Sequence, residues 1–223
     1  MMTEQPIEIT SQTNISASVI WLHGLGADGN DFVPVVKMLN LPYIRFILPH
    51  APYKKISRNN GYEMRAWYDV YGVIVGSRED ETGIKESQAC IEQLILQEIS
   101  RGIPAKRIVL AGFSQGGAIV LQTALRCQQS LAGVLALSTY LPLKTSLALE
   151  KTAANQHIPL FMAHGSHDDV IKMDVCMASM QALKLENYAL EWHPYNMAHS
   201  VCPPEIDDIK QFLCRVLPDI AAI

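Results

Sequence analysis

The chain has 223 residues, 49% of them hydrophobic, and a formal net charge of −4, which suits one α/β domain large enough to bury a full core. Its 18 Lys and Arg form no basic cluster against 22 Asp and Glu, which argues against nucleic acid as a partner. No apolar run approaches the roughly 18 residues of a membrane span, so no integral membrane segment is expected.

The opening MMTEQPIEITSQTN has neither a basic n-region nor an apolar h-region, unlike a secretory signal. Met2 stands where myristoylation needs Gly, and Ala221-Ala222-Ile223 lacks a prenylation pattern. The five cysteines, Cys90, Cys127, Cys176, Cys202 and Cys214, are scattered and never in C-x-x-C spacing. That usage suits a reducing cytoplasm. All but Cys202 fall in helical-looking segments and read as small buried hydrophobes.

No repeat, low-complexity tract or linker divides the sequence, so residues 1–223 read as a single domain. Residues 1–14 form a polar tail or an edge strand around Ile7–Ile9. Ala17–Leu22 (ASVIWL) is a continuous apolar strand that runs into His23-Gly24-Leu25-Gly26-Ala27-Asp28-Gly29, with a helix starting near Asn30 or Asp31. A glycine-rich loop in that place could cradle a phosphate, but the acidic residue that would support a dinucleotide is missing. Its better use is as half of an oxyanion hole.

Tyr43–Leu48 is the next strand, and Arg58-Asn59-Asn60-Gly61 a turn. The stretch Val70–Gly76 is either a buried strand or loop, or the wall or lid of an apolar acyl pocket. In the second reading Trp67, Tyr71, Val73 and Ile74 line the pocket, and Gly72 and Gly76 act as hinges. Thr82–Arg101 is an amphipathic helix capped by Thr82 and closed by Gly102.

Ile108-Val109-Leu110-Ala111 is an apolar run of the kind covered on both faces of a sheet. Gly112-Phe113-Ser114-Gln115-Gly116 follows as G-x-S-x-G, and a helix opens at once through Gln122. That context fits a nucleophile elbow, a sharp strand-to-helix turn that holds a serine above the sheet. Beyond it come a strand at Leu131–Leu137, a short helix at Leu147–Ala154 and a strand at Ile158–Ala163 ending in His164–Asp169. A helix at Met173–Leu185, a strand at Tyr188–Trp192, a loop at His193–Val201 and a helix from Pro203 through Leu213 complete the chain. Alternation at this spacing implies a mostly parallel sheet with helices on both faces and chemistry beyond the strand ends.

A serine nucleophile needs a base and an acid to orient it. In the hydrolase order these follow the serine, which offers Asp168 or Asp169 as acid and His193 or His199 as base. His193 ends a strand, while His199 lies mid-loop and can reach over Ser114, so His199 is the choice. His164, His167 and Asp168 also admit a metal-dependent reading, although loop spacing fixes no ligand geometry. A catalytically silent binding protein is the third reading.

These pieces resemble the phospholipase/carboxylesterase family of α/β-hydrolases, which includes the acyl-protein thioesterases. The matching segments are WLHGLGADG at 21–29, LPHAP at 48–52, MRAWYD at 64–69, RIVLAGFSQGGA at 107–118, LSTYLP at 137–142, HGSHD at 164–168 and HS at 199–200. The resemblance implies the α/β-hydrolase fold and a hydrolase of carboxylic esters or thioesters that needs no cofactor or metal. It implies Ser114 as nucleophile, Asp168 rather than Asp169 as acid, His199 as base, and the backbone N–H groups of Leu25 and Gln115 as the oxyanion hole. Its substrates would be small-molecule or lipid esters and thioesters or an acylated protein, and it admits a homodimer. Ser166 and Ala198 depart from the usual family pattern of an acid and a glycine.

Overall fold

A strand that is apolar on both faces finds cover only inside a sheet flanked by helices. Ala17–Leu22 and Ile108–Phe113 are such strands, and they pair in parallel at the heart of the sheet, Val19 opposite Val109 and Leu22 opposite Gly112. The computed structural model describes residues 4–11 and 14–220. Parts of the polar stretch 1–14, and the Ala221–Ile223 end weighed against prenylation, lie outside the described residues.

The strands are β1 (Ile7–Ile9), β2 (Ala17–Leu22), β3 (Ile44–Leu48), β4 (Tyr53–Ile56), β5 (Tyr62–Arg65), β6 (Ile108–Phe113), β7 (Gly133–Leu137), β8 (Leu160–Gly165) and β9 (Leu190–Tyr195). The helices are α1 (Val33–Leu39), α2 (Glu81–Ser100), α3 (Gln115–Arg126), α4 (Leu147–Glu150), α5 (Met173–Leu185) and α6 (Pro203–Val216). Seven strands form one sheet in the order β1-β3-β2-β6-β7-β8-β9, parallel throughout except for β1 against β3. This is the mostly parallel arrangement that the alternation implies, and the α/β-hydrolase fold that the resemblance implies.

The two-residue period of the strands divides the core. Ile20, Leu22 and Leu110 face one layer with Ile91, Ile95 and Leu121 from α2 and α3. Val19, Trp21, Val109 and Ala111 face the other, with Val36 from α1 and Ile209 and Phe212 from α6. Every residue of α3 is buried, so the helix behind Ser114 is clamped on all sides. Among the described residues, no helix is long and apolar enough to cross a membrane.

Several boundaries differ from the sequence expectation. α1 starts at Val33, because Asp28 Oδ1 accepts the Asn30 N–H at 2.7 Å and holds that segment in a turn. α2 starts at Glu81, with Asp80 rather than Thr82 capping it by accepting the Gly83 N–H at 3.0 Å. β8 extends through Gly165 and β9 shifts to Leu190–Tyr195, because His164 and Gly165 pair with Pro194 and Tyr195. The segment 147–154 is broken into α4 and a 3-10 turn, the Thr152 hydroxyl donating to Cys127 O at 2.7 Å. α6 continues to Val216. Of the cysteines read as buried, only Cys127 and Cys176 are; Cys90 is half-buried and Cys214 exposed.

One polar group is built into the apolar layer. Glu98, 1% exposed, takes Arg45 Nη1 at 2.8 Å and Arg101 Nη1 at 3.0 Å, and the Ser18 hydroxyl of central strand β2 donates to it. Removing one partner of a buried ion pair leaves the other charge uncompensated, at a cost of about 3–5 kcal/mol. Glu98→Ala should therefore lower unfolding free energy by about 3 kcal/mol in denaturant titrations, with turnover per folded molecule unchanged.

Candidate active site

Ser114 sits between β6 and α3 with φ 53° and ψ −120°, a conformation that costs a non-glycine residue about 1–3 kcal/mol. Its surroundings enforce it. The Ser114 N–H donates to Leu137 O at 2.9 Å, and its carbonyl accepts the Thr139 hydroxyl at 2.6 Å and the Ala118 N–H at 3.1 Å. The elbow closes only because two glycines lack side chains. A Cβ on Gly112 would run into the Gly116 carbonyl, and one on Gly116 would lie 2.5 Å from Leu22 O. Strand β2 thus packs directly against the first turn of α3.

The residues proposed to serve Ser114 are brought to it. His199 Nε2 lies 2.9 Å from Ser114 Oγ, and His199 Nδ1 lies 2.6 Å from Asp168 Oδ2. Asp168 Oδ1 accepts the Val170 and Ile171 N–H groups, both at 2.8 Å, so the buried carboxylate is fixed by its own turn. Since the carboxylate accepts, Nδ1 donates to it, leaving the Nε2 lone pair for the serine proton. The His199 ring also rests on Phe113, with centroids 4.7 Å apart. Its loop reaches the site by closing over Gly165, where a Cβ would strike the Ala198 carbonyl. Asp169 is exposed, and His193 is held in β9, stacked on Phe161 with centroids 4.3 Å apart.

The glycine-rich loop arrives from β2. A Cβ on Gly24 would lie 3.4 Å from Ser114 Cβ, so Leu25 follows immediately beside the nucleophile. Gln115 opens α3, and its N–H has no intrahelical acceptor. Among the described residues, the Leu25 N–H donates to no backbone carbonyl. Both groups are free to donate to a developing oxyanion.

Three features go beyond the sequence expectations, the last of them despite a local signal. His23 is 1% exposed, accepts the Ala51 N–H on Nε2 at 3.0 Å and places Nδ1 2.7 Å from Gly24 O. The Gln115 side chain and Trp67 form a hydrogen-bonded link between loops. The β4–β5 hairpin was read only as a turn at 58–61, although Asn60-Gly61 between two β-prone runs is a hairpin signal. Its end braces the glycine loop, Gly26 N–H donating to Arg65 O at 2.9 Å.

The 67–76 stretch is a loop, and part of it walls a cavity. It forms no strand beyond a bridge between Val70 and Glu79. Val73 and Ile74 line a cavity of about 220 Å³ together with Val75, Tyr140, Leu141 and Val175. Trp67 and Tyr71 do not line it: Trp67 is 1% exposed beneath the oxyanion loop, and Tyr71 is turned outward under the Arg78 guanidinium. Nor is the lining purely apolar, since Glu79, Lys144 and Ser179 contribute to it. Burial holds the Glu79 carboxyl above its ordinary range and pushes Tyr140 up to about 12.

Of the His164, His167 and Asp168 set only two members meet, His164 Nε2 lying 3.6 Å from Asp168 Oδ2. His164 Nε2 lies 2.8 Å from Ile171 O, and His167 turns away to Asn196 at 2.8 Å. Among the described residues no three His, Cys, Asp or Glu side chains gather as a metal would require.

The phospholipase/carboxylesterase family matches the chain over residues 5–217. Acyl-protein thioesterase 1 of Neurospora crassa is 39% identical, over 97% of this chain and 93% of its own. Acyl-protein thioesterase 1 of Gibberella zeae is also 39% identical, over 96% of each. Among solved structures, acyl-protein thioesterase 2 of Zea mays superposes with a TM-score of 0.87 at 27% identity, over 96% of this chain and 99% of that one. SOBER1 of Arabidopsis thaliana gives 0.87 at 29% identity, over 91% and 99%.

Burial drives the His23 imidazole down to about 4, against about 6.5 in an unfolded chain. Between those values the unfolded chain binds the proton that the folded one refuses. Stability is therefore full above about pH 6.5 and falls as the pH drops to about 4, by about 3 kcal/mol. Denaturant titrations across that window should show the slope, and His23→Gln should flatten it.

Proposed function

The chain belongs to the phospholipase/carboxylesterase family of hydrolases, and from that premise we propose that it cleaves esters and thioesters through an acyl-enzyme on Ser114. The observation that carries this reading is the continuous line from Asp168 through His199 to Ser114 Oγ, at 2.6 and 2.9 Å.

In the first step His199 Nε2 takes the Ser114 proton as Oγ attacks the acyl carbonyl. Negative charge moves onto the carbonyl oxygen, where the Leu25 and Gln115 N–H groups meet it at the start of α3, aided by the helix dipole. Asp168 stabilises the imidazolium and keeps its tautomer. His199 then protonates the departing alcohol or thiol. Water enters, His199 takes its proton, and the second displacement frees the acid and restores Ser114. Atoms balance with no cofactor or metal.

The acyl group is assigned to the cavity beneath residues 72–77. Tyr140 lines it, one residue beyond Thr139, whose hydroxyl holds the Ser114 carbonyl. Val73, Ile74, Leu141 and Val175 would contact the chain's methylenes. The 39% identity to proteins named acyl-protein thioesterase, over almost the full chain, supports a protein thioester as substrate. The free cysteines among the described residues support a reducing, cytoplasmic setting.

The test is a chain-length series of activated esters and matched thioesters. Wild type should show a maximum at one acyl length and label with a fluorophosphonate. Ser114→Ala should lose roughly 10³-fold or more in kcat, the residue coming from the oxyanion hole and binding. Near-wild-type turnover in that variant would end the proposal, and failure of wild type to label would revive the silent binding protein. Replacing Ile74 by Asp at the cavity wall should weaken long acyl chains several-fold while sparing acetyl esters, a charge in an apolar contact being costly. A length profile unchanged by that substitution removes the cavity from the assignment.

A further inference from the structure

The two donors assigned to the oxyanion hole come from different parts of the chain, Leu25 from the loop after β2 and Gln115 from the start of α3. A hole of this kind works only if its donors are held in place before charge develops. We propose that Trp67 is a positioning residue that ties these two halves together, an inference that rests on the hole assigned above.

Trp67 bonds to both halves at once. Its indole Nε1–H donates to His23 O at 2.9 Å, two residues before Leu25. Its backbone N–H donates to the Gln115 side-chain Oε1, also at 2.9 Å. The other end of that amide, Nε2, donates to Tyr68 O at 2.7 Å. One glutamine therefore offers its backbone N–H to the oxyanion while both ends of its side-chain amide are tied to the Trp67–Tyr68 backbone.

The clamp is itself clamped. The Trp67 carbonyl accepts the buried Ser87 hydroxyl from α2. The His23 ring, neutral because of its burial, lies 5.2 Å from the indole centroid to centroid and spans Gly24 and Ala51. Arg65, two residues before Trp67, is not idle either, since its carbonyl holds the Gly26 N–H. The short run Arg65–Tyr68 thus touches the glycine loop on one side and the elbow on the other. None of these atoms reaches the reacting carbonyl, so the effect acts on placement alone.

Trp67→Phe removes the indole N–H together with part of the buried ring, leaving His23 O buried without its donor. A shift of donors by a fraction of an ångström is felt in the transition state far more than in substrate binding. The expected result is a fall of about tenfold in kcat with KM within twofold of wild type. The pH profile should not move, because His199 and Asp168 are untouched. Affinity for a trifluoromethyl ketone, whose bound oxyanion occupies the hole, should weaken by the same factor as kcat/KM. Gln115→Met cuts the same link from the other side, and the double variant should lose little more than the worse single one, since both act on one geometry.

Unchanged kcat and ketone affinity per folded molecule in Trp67→Phe overturn the inference, as does a loss that follows only the folded fraction in circular dichroism. If Trp67→Phe does not fold, Gln115→Met reads the same link, and wild-type ketone affinity in it is equally fatal. If wild type itself fails to bind the ketone, the assignment of Ser114 and its hole falls, and this inference with it. If wild type binds it and the variants bind as tightly, only the clamp is lost.

Discussion

The contact between β2 and the first turn of α3, made possible by the absence of a side chain on Gly116, is the constraint on which the rest of the structure depends. It brings Leu22 and His23 carbonyls against the elbow. That contact forces the turn at Ser114 into a left-handed conformation, which the Leu137 and Thr139 contacts then hold. It also decides where the glycine loop can go, since a chain leaving β2 at that height has to pass beside Ser114. The strain is stored locally, and the fully buried α3 is the anchor that resists its release.

Polar groups then do the fine placement that packing cannot. Asp168 is aimed by two N–H groups of its own turn, and His199 by Asp168 and by the face of Phe113. His23 is bonded through both ring nitrogens and the Gln115 amide through both its ends, in a buried region where an unsatisfied group would cost about 1–3 kcal/mol. Such groups have one arrangement that satisfies them all. Departures from that arrangement would leave these donors and acceptors unmet, which favours the one seen.

The parts legible in the sequence are those encoded by local pattern. Apolar runs without alternation gave away the central strands, and G-x-S-x-G between strand and helix gave away the elbow. The order after Ser114 pointed to His199 and left Asp168 or Asp169 as the acid, and the family resemblance chose Asp168, the one that the fold brings to His199. What stayed hidden depends on partners far along the chain. Trp67 looked like a pocket residue because it is aromatic and lies near Tyr71, but its indole bonds a carbonyl 44 residues away. The cavity's polar wall comes from Lys144 and Ser179, on segments that no local pattern joins to 72–77. Strand ends also moved, because pairing with β9 and not apolar content sets where β8 stops.

The hydrogen bond from His199 to Ser114 spans 85 residues, and the one from His199 to Asp168 spans 31. The base is carried by the loop after the last strand, and that loop seats only when it closes over Gly165 at the end of β8. A growing or partly folded chain can therefore hold a complete elbow and glycine loop and still have no base. The line from Asp168 to Ser114 is complete only when the carboxyl-terminal quarter is docked on the sheet, so any activity carried by that line reports on that docking.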